Sequence, residues 1–309
     1  MRGVMAMGRA SLFNSPSAHR LHAFRALRGT GRRAVDTTHT RSTQLMVARA
    51  FAIALTLLWA ASPLAAQSEP LRIDINIPAQ RLVVFEGDKQ IRSYPVSTGM
   101  KGHDTPTGNF NISRAEWNPW WRPPERDWAK DDKITPPGPD NPMGRVKLFF
   151  MPYYFIHGSP AEGDIGTPAS HGCVRMLNKD AIALARLIHE RAAPQVTPKM
   201  IDGILARSRT TREVGFRTPI ALVIRYDPIV VENGKLRIYP DFYGYKAIHS
   251  EAVYQALMAA GYDVKQVGMA DVQKLVKRAK AAKTSFAVPI EEAFGSEVAA
   301  TLDRSAARS

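Results

Sequence analysis

The chain has 309 residues, 42 Lys plus Arg against 28 Asp plus Glu, and a formal net charge of +14. Residues 1–50 hold nine arginines and one aspartate, so this leader contributes +8 and leaves +6 for the remainder. With the excess charge in the leader, a nucleic-acid partner loses its electrostatic support, and a single cysteine excludes an intramolecular disulfide framework.

Residues 51–66 carry no charge, follow Arg49 and end in Ala65-Ala66. The stretch is shorter than the roughly 20 residues that span a bilayer. Its basic, apolar, small-residue order is that of a signal peptide. An uncleaved anchor is the alternative. No cysteine lies near the leader, which excludes a lipoprotein. Met46 would begin a conventional signal peptide, and a long n-region or transit-like segment is the other reading of residues 1–45. The expectation is export to the periplasm or cell envelope, with membrane contact only through residues 1–66.

From Leu71, apolar residues at 71, 73, 75 and 77 alternate with Arg72, Asp74 and Asn76, the period of a half-buried strand. Short turns at 78–80 and 86–89 separate it from strands at 81–85 and 90–98. Residues 99–145 are rich in proline and read as a long ordered loop of the kind that forms lids and binding surfaces. Their tryptophans, Trp120 and Trp121 among them, either wall a peptide or sugar site or bury the loop against the sheet. Strands are expected at 145–150 and 153–157, the second ending at His157. Asn178 is expected to cap a helix with Leu177 and Ile182 as its staple. In that helix Ile182, Ala185 and Ile188 would face inward and Arg186 and His189 outward. A strand at 220–224 precedes a hairpin whose turn is Asn233-Gly234. Helices capped by Ser250 and Asp271 would follow, fraying past Gly295. The organisation expected is a leader (1–66), a mainly β catalytic domain (71–225), and a hairpin with a helical C-terminal extension (226–309).

Cys173 stands in Ser170-His171-Gly172-Cys173-Val174-Arg175, sixteen positions after His157. A lone thiol in an exported protein, set between histidines and a glycine turn, points to nucleophilic chemistry, with a buried structural cysteine as the alternative. A thiol needs a nearby base or positive field to react. His157, from a separate strand, and His171 are the candidates. Gly172 would let the turn aim backbone N–H groups at an oxyanion. A zinc site from His157, His171 and Cys173 is the competing arrangement, but no local metal-ligand spacing supports it.

His157-Gly158 followed by Ser170-His171-Gly172-Cys173-Val174-Arg175 resembles the signature of the L,D-transpeptidase catalytic domain, the YkuD-like family. Val96-Ser97-Thr98-Gly99, Thr105-Pro106-Thr107-Gly108, Asn141-Pro142-Met143-Gly144 and Ile77-Pro78-Ala79-Gln80-Arg81-Leu82 extend the likeness over residues 71–225, with a weaker likeness through Tyr239-Pro240-Asp241-Phe242-Tyr243-Gly244. The resemblance implies a mixed β-sandwich or barrel-like domain with a few helices. It also implies that Cys173 attacks a peptidoglycan stem peptide between the third-position diamino acid and D-Ala. The acyl group would then pass to a second stem, giving a 3→3 cross-link, or to a D-amino acid, a lipoprotein lysine or water.

By position, Cys173 would be the nucleophile and His157 the general base and acid. A carbonyl at Gly158 or Ser159 would orient that base, and His171 and Gly172 would shape the oxyanion pocket. Ser170 would brace the turn, and Arg175 would meet a substrate carboxylate or make a structural ion pair. No cofactor or metal is implied. A hydrolytic L,D-carboxypeptidase and a non-catalytic wall-binding protein are the alternative functions.

Overall fold

The structure is a computed structural model and describes residues 69–300. The expected leader and signal peptide lie outside the described residues, as does the end of the chain beyond residue 300. Among the described residues no helix is long and apolar enough to cross a membrane.

Alternation drives the first hairpin. Strand β1 (Leu71–Asn76) pairs antiparallel with β2 (Arg81–Glu86), which pairs with β3 (Lys89–Pro95). Ile73, Ile75, Leu82 and Val84 are fully buried on one face, each contributing about 2 kcal/mol. The remaining strands are β4 (Gly108–Trp117), β5 (Val146–Met151), β6 (Tyr154–Ser159), β7 (Val174–Leu177) and β8 (Arg212–Arg225). Together they make one eight-stranded mixed sheet in the order β3-β2-β1-β8-β4-β5-β6-β7. Only the β1–β8 and β6–β7 pairs are parallel.

The two edges of this sheet meet. Just past β3, Ser97 and Arg175 of β7 exchange both backbone hydrogen bonds at 2.9 and 2.8 Å. The sheet therefore curls almost to closure, as the mainly β, barrel-like expectation required, and a closed sheet leaves little free edge. Helix α1 (Asn178–Ala192) lays Leu184, Ala185 and Ile188 against it.

Several local expectations are corrected. Strand β4 runs through the segment read as loop, because a bulge between Ile112 and Arg114 breaks its alternation. Strand β7 and helix α2 (Pro198–Ala206) were not foreseen, and β6 continues past His157 to Ser159. Asn178 does not cap α1. Its Oδ1 accepts from the Arg145 N–H (2.9 Å) and its amide donates to the Ser159 carbonyl (3.3 Å). His189 is buried, not outward, because its Nε2 accepts the indole N–H of the fully buried Trp117 (3.0 Å). Asp74 and Asn76 are buried too, and the Asn76 side chain bonds both backbone groups of Asp227.

Beyond β8 the chain builds a second core. Strands β9 (Ile229–Glu232) and β10 (Lys235–Ile238) form the expected hairpin. Asn233 and Gly234 both have positive φ, 51° and 70°, as a tight primed turn demands. An unforeseen third strand, β11 (Phe286–Pro289), completes this sheet. Helices α3 (Ser250–Ala259), α4 (Met269–Ala281), α5 (Ile290–Phe294) and α6 (Ser296–Ala299) supply Val253, Leu257, Val272, Ile290 and Val298 to its core. The ring of His249, not Ser250, caps α3, and Gly268, not Asp271, precedes α4. Helix α6 follows Gly295, where fraying was expected.

Burial lowers the pKa of both His157 and His189 to about 4. Each binds a proton more readily in the unfolded chain, so its stabilising contribution is complete above about pH 6.5 and is lost as pH falls toward 4. Urea midpoints should therefore drop steadily across that window. His189→Gln, which keeps an acceptor for Trp117, should flatten part of the slope.

Candidate active site

Directly opposed residues on neighbouring strands share a face of the sheet. The registers Glu116↔Lys147, Lys147↔His157 and His157↔Arg175 therefore line four polar side chains across β4, β5, β6 and β7. Their neighbours Trp117, Val146, Leu148, Ile156, Val174 and Met176 point the other way, into the core. The polar row forms the floor of a cavity of about 590 Å³, which Cys173 enters from the residue just before β7. Lys147 and Glu116 pair at 3.4 Å with side chains only 12% and 16% exposed. The Lys147 ammonium also lies 4.8 and 4.9 Å from the rings of Phe149 and Phe155.

His157 Nδ1 lies 2.7 Å from the carbonyl of Gly158. A carbonyl can only accept, so Nδ1 carries the proton and Nε2 is the basic nitrogen. The Gly158 peptide is packed tightly, since a Cβ there would lie 2.3 Å from Asn178 Oδ1. Asn178 thus takes the place of a side chain at Gly158 and ties β6 to the Arg145 N–H.

The turn carrying Cys173 is held from within. Ser170 Oγ donates to the Cys173 carbonyl (2.5 Å) and accepts the Gly172 N–H (3.0 Å). Gly172, at φ +109°, adopts a conformation few side chains tolerate, and a Cβ would meet the Tyr154 ring at 2.7 Å. The Cys173 thiol donates to the Tyr153 carbonyl at 3.6 Å. Tyr153 sits at φ 67°, a left-handed conformation that costs on the order of 1 kcal/mol for a side chain of this size.

Burial pushes the Cys173 thiol up to about 11, against a partial opposing pull from a Phe155 backbone hydrogen bond and the charges of Arg175 and Lys147. Burial likewise pushes His157 down to about 4, and the same two cations add to that shift. The resting pair is accordingly neutral thiol and neutral imidazole.

Residues 118–145 cover the floor. Two buried asparagines fix this proline-rich segment. Asn118 donates to the carbonyls of Ile204, Arg207 and Thr210, and Asn141 to those of Pro119, Thr135 and Pro136. They present an aromatic wall. Trp121 stacks on Trp128 with centroids 6.4 Å apart, Trp128 stacks on His171 at 4.0 Å, and His171 meets His103 edge-on at 4.6 Å. Trp120 stands at the rim beside Arg122.

Residues 70–220 match the YkuD family model, described as the L,D-transpeptidase catalytic domain. This region is an L,D-transpeptidase catalytic domain. Over 117 residues the chain is 35% identical to "Probable L,D-transpeptidase YbiS" of Escherichia coli K12, covering 35% of this chain and 38% of that protein. Over 172 residues it is 33% identical to "Probable L,D-transpeptidase YcfS" of the same organism, covering 50% of this chain and 52% of that one. The chain thus spans about two fifths to one half of the length of these relatives. Among solved structures, "L,D-transpeptidase from Mycobacterium smegmatis" aligns at 14% identity and a TM-score of 0.31, over 50% of this chain and 58% of that one.

Within this L,D-transpeptidase domain the structure brings Cys173, His157, Ser170, His171, Arg175, Trp120 and Trp121 to one cavity. Gly158 and Ser159 lie behind His157, Gly158 as its carbonyl partner and Ser159 as an acceptor for Asn178. The Gly172 N–H is held by Ser170, and the Cys173 thiol donates to the Tyr153 carbonyl. His171 is engaged by Trp128 and His103, and among the described residues no His, Cys, Asp or Glu cluster could hold a metal ion. Arg175 makes an ion pair with Asp164 at 3.1 Å while lining the cavity. Lys147, Glu116 and Trp128 were missed, although the alternation in Val146–Met151 places Lys147 on the same face as Phe149.

Gly158→Ala should lower unfolding free energy by about 1–3 kcal/mol through the clash with Asn178, measured by urea titration. Iodoacetamide should alkylate Cys173 slowly at pH 7, with the rate climbing toward pH 11, as followed by intact mass. A plateau near pH 8 would contradict the neutral resting thiol.

Proposed function

We propose that this chain is an exported cysteine acyltransferase of the periplasm or cell envelope. It would act on peptidoglycan stem peptides as an L,D-transpeptidase, forming 3→3 cross-links or exchanging the terminal D-Ala. The observation that carries this reading is that Cys173 and His157 open on one cavity, with His157 Nδ1 committed to the Gly158 carbonyl.

In the reaction, Cys173 Sγ attacks the carbonyl carbon of the diamino acid while His157 Nε2 takes the thiol proton. Because the resting pair is neutral, proton transfer accompanies attack, the usual work of a general base. The proton then passes from Nε2 to the departing D-Ala amine, leaving a thioester on Cys173. An incoming amine, from a second stem, a D-amino acid or a lipoprotein lysine, loses its proton to Nε2 and displaces the sulfur, and Nε2 then returns that proton to Cys173 Sγ. Lys147 and Arg175, whose charges favour the thiolate, stabilise negative charge developing beside it. The aromatic wall of Trp121 and Trp128 supplies a flat surface for the peptide.

A carbapenem should acylate the purified protein once, at Cys173. Cys173→Ala should abolish the mass increase, and His157→Ala should slow it by roughly 10²–10⁴-fold. Incubation with disaccharide tetrapeptide separates transpeptidation, which yields cross-linked dimers, from hydrolysis, which yields tripeptide alone. Folded wild-type protein that gains no mass would overturn the enzyme reading in favour of a wall-binding role.

A further inference from the structure

The catalytic turn is braced by a residue outside the family-matched region. The loop from Ser97 to Thr105 cradles it: the Ser170 N–H donates to the Thr98 carbonyl (3.0 Å), and the Met100 N–H donates to the Ser170 carbonyl (2.9 Å). Thr105 Oγ1 donates to the Gly172 carbonyl (2.9 Å) and accepts the Gly99 N–H (2.8 Å). The cradle is itself closed by one phenol. Tyr243 Oη donates to the Gly99 carbonyl (2.8 Å) and accepts the Thr105 N–H (3.0 Å).

Tyr243, Thr105 and Gly99 form a buried chain in which donors and acceptors are matched end to end. Such chains are worth more than isolated bonds, because each partner left alone would be a desolvated polar group. Tyr243 has few ways to move. Its N–H donates to the Tyr226 hydroxyl (2.9 Å), and its ring stacks on Tyr226 at 5.1 Å and 16°. Asp241 fixes the same turn, accepting from the Tyr226 hydroxyl and from the N–H groups of Tyr245 and Ala247. A second link runs from the Tyr245 hydroxyl to the Asp104 carboxylate.

We propose that Tyr243 is a positioning residue for the cysteine chemistry, acting through Thr105 on the Gly172 carbonyl and so setting the turn that presents Cys173. This rests on Cys173 as nucleophile. It makes the strap of residues 239–247, which follows the family-matched domain, part of the working active site.

The test uses the full chain with Tyr243→Phe, Thr105→Val, Thr105→Ser and the Phe/Val double variant, each kept well below its unfolding midpoint. The first readout is the pH profile of Cys173 alkylation by iodoacetamide, which does not depend on any acyl-transfer activity. Loss of the phenol or of Oγ1 should loosen the turn and expose the half-buried thiol further, making alkylation at pH 7 roughly tenfold faster. Thr105→Ser should keep the wild-type profile, and the double variant should go no further than the larger single change, as expected for one chain.

The second readout is carbapenem acylation at saturating drug. It should slow on the order of 10- to 100-fold in Tyr243→Phe, at unchanged one-to-one stoichiometry. Lost packing alone would reduce the reactive fraction, not the rate of the folded molecules. A wild-type alkylation profile in Tyr243→Phe and Thr105→Val, or additive effects in the double variant, would overturn the proposal. So would a shifted profile with wild-type acylation rate. If Tyr243→Phe does not fold, Thr105→Val against Thr105→Ser decides the same question. If the wild type is never acylated, the functional reading falls while the alkylation arm still decides the relay.

Discussion

The structure depends on the closure of its sheet. Ser97 and Arg175 join the two edges through a pair of backbone hydrogen bonds. Cys173 lies two residues before that junction and the Ser170 bracing side chain five before it. Cys173 therefore sits on a seam, where the chain turns in from outside the ladder while both flanks stay hydrogen bonded. A thiol there reaches the cavity without being carried by a mobile loop. The residues that close the seam, from Ser97 to Thr105, are also those that Tyr243 grips from the C-terminal side.

The electrostatics follow from the same placement. Strand alternation commits one face to core and leaves the other to Glu116, Lys147, His157 and Arg175, and the 118–145 segment shuts most water away from that row. Burial is the first cause of both major shifts, up for the thiol and down for the imidazole. Lys147 and Arg175 moderate the thiol shift but reinforce the imidazole shift, so they work against a resting imidazolium while favouring negative charge beside it. The Lys147–Glu116 pair keeps one of those cations in place at little exposure.

Legibility in the sequence tracked how local each cause was. The Leu71–Asn76 alternation, the Asn233-Gly234 turn and the run from Ser170 to Arg175 carry their meaning in adjacent residues, and they were readable. Strand β4 was hidden because its bulge shifts the apolar phase midway. His189 read as outward because helical spacing knows nothing of Trp117, 72 positions away. Asn178 has the composition of a cap, yet the space left by Gly144 and Gly158 draws it to Arg145 and Ser159. Lys147, Glu116 and Trp128 join the site only through strand register and loop docking, neither of which a linear pattern displays.

The parallel pairing of β1 with β8 has a kinetic side. Asn76 and Asp227, 151 positions apart, exchange hydrogen bonds at the end of that ladder. The first strand has no parallel partner until nearly the whole domain has left the ribosome, and so long a loop must close before any contact compensates for the lost entropy. Completion of the sheet is therefore held back until its last strand, at the far end of the domain, is available to pair.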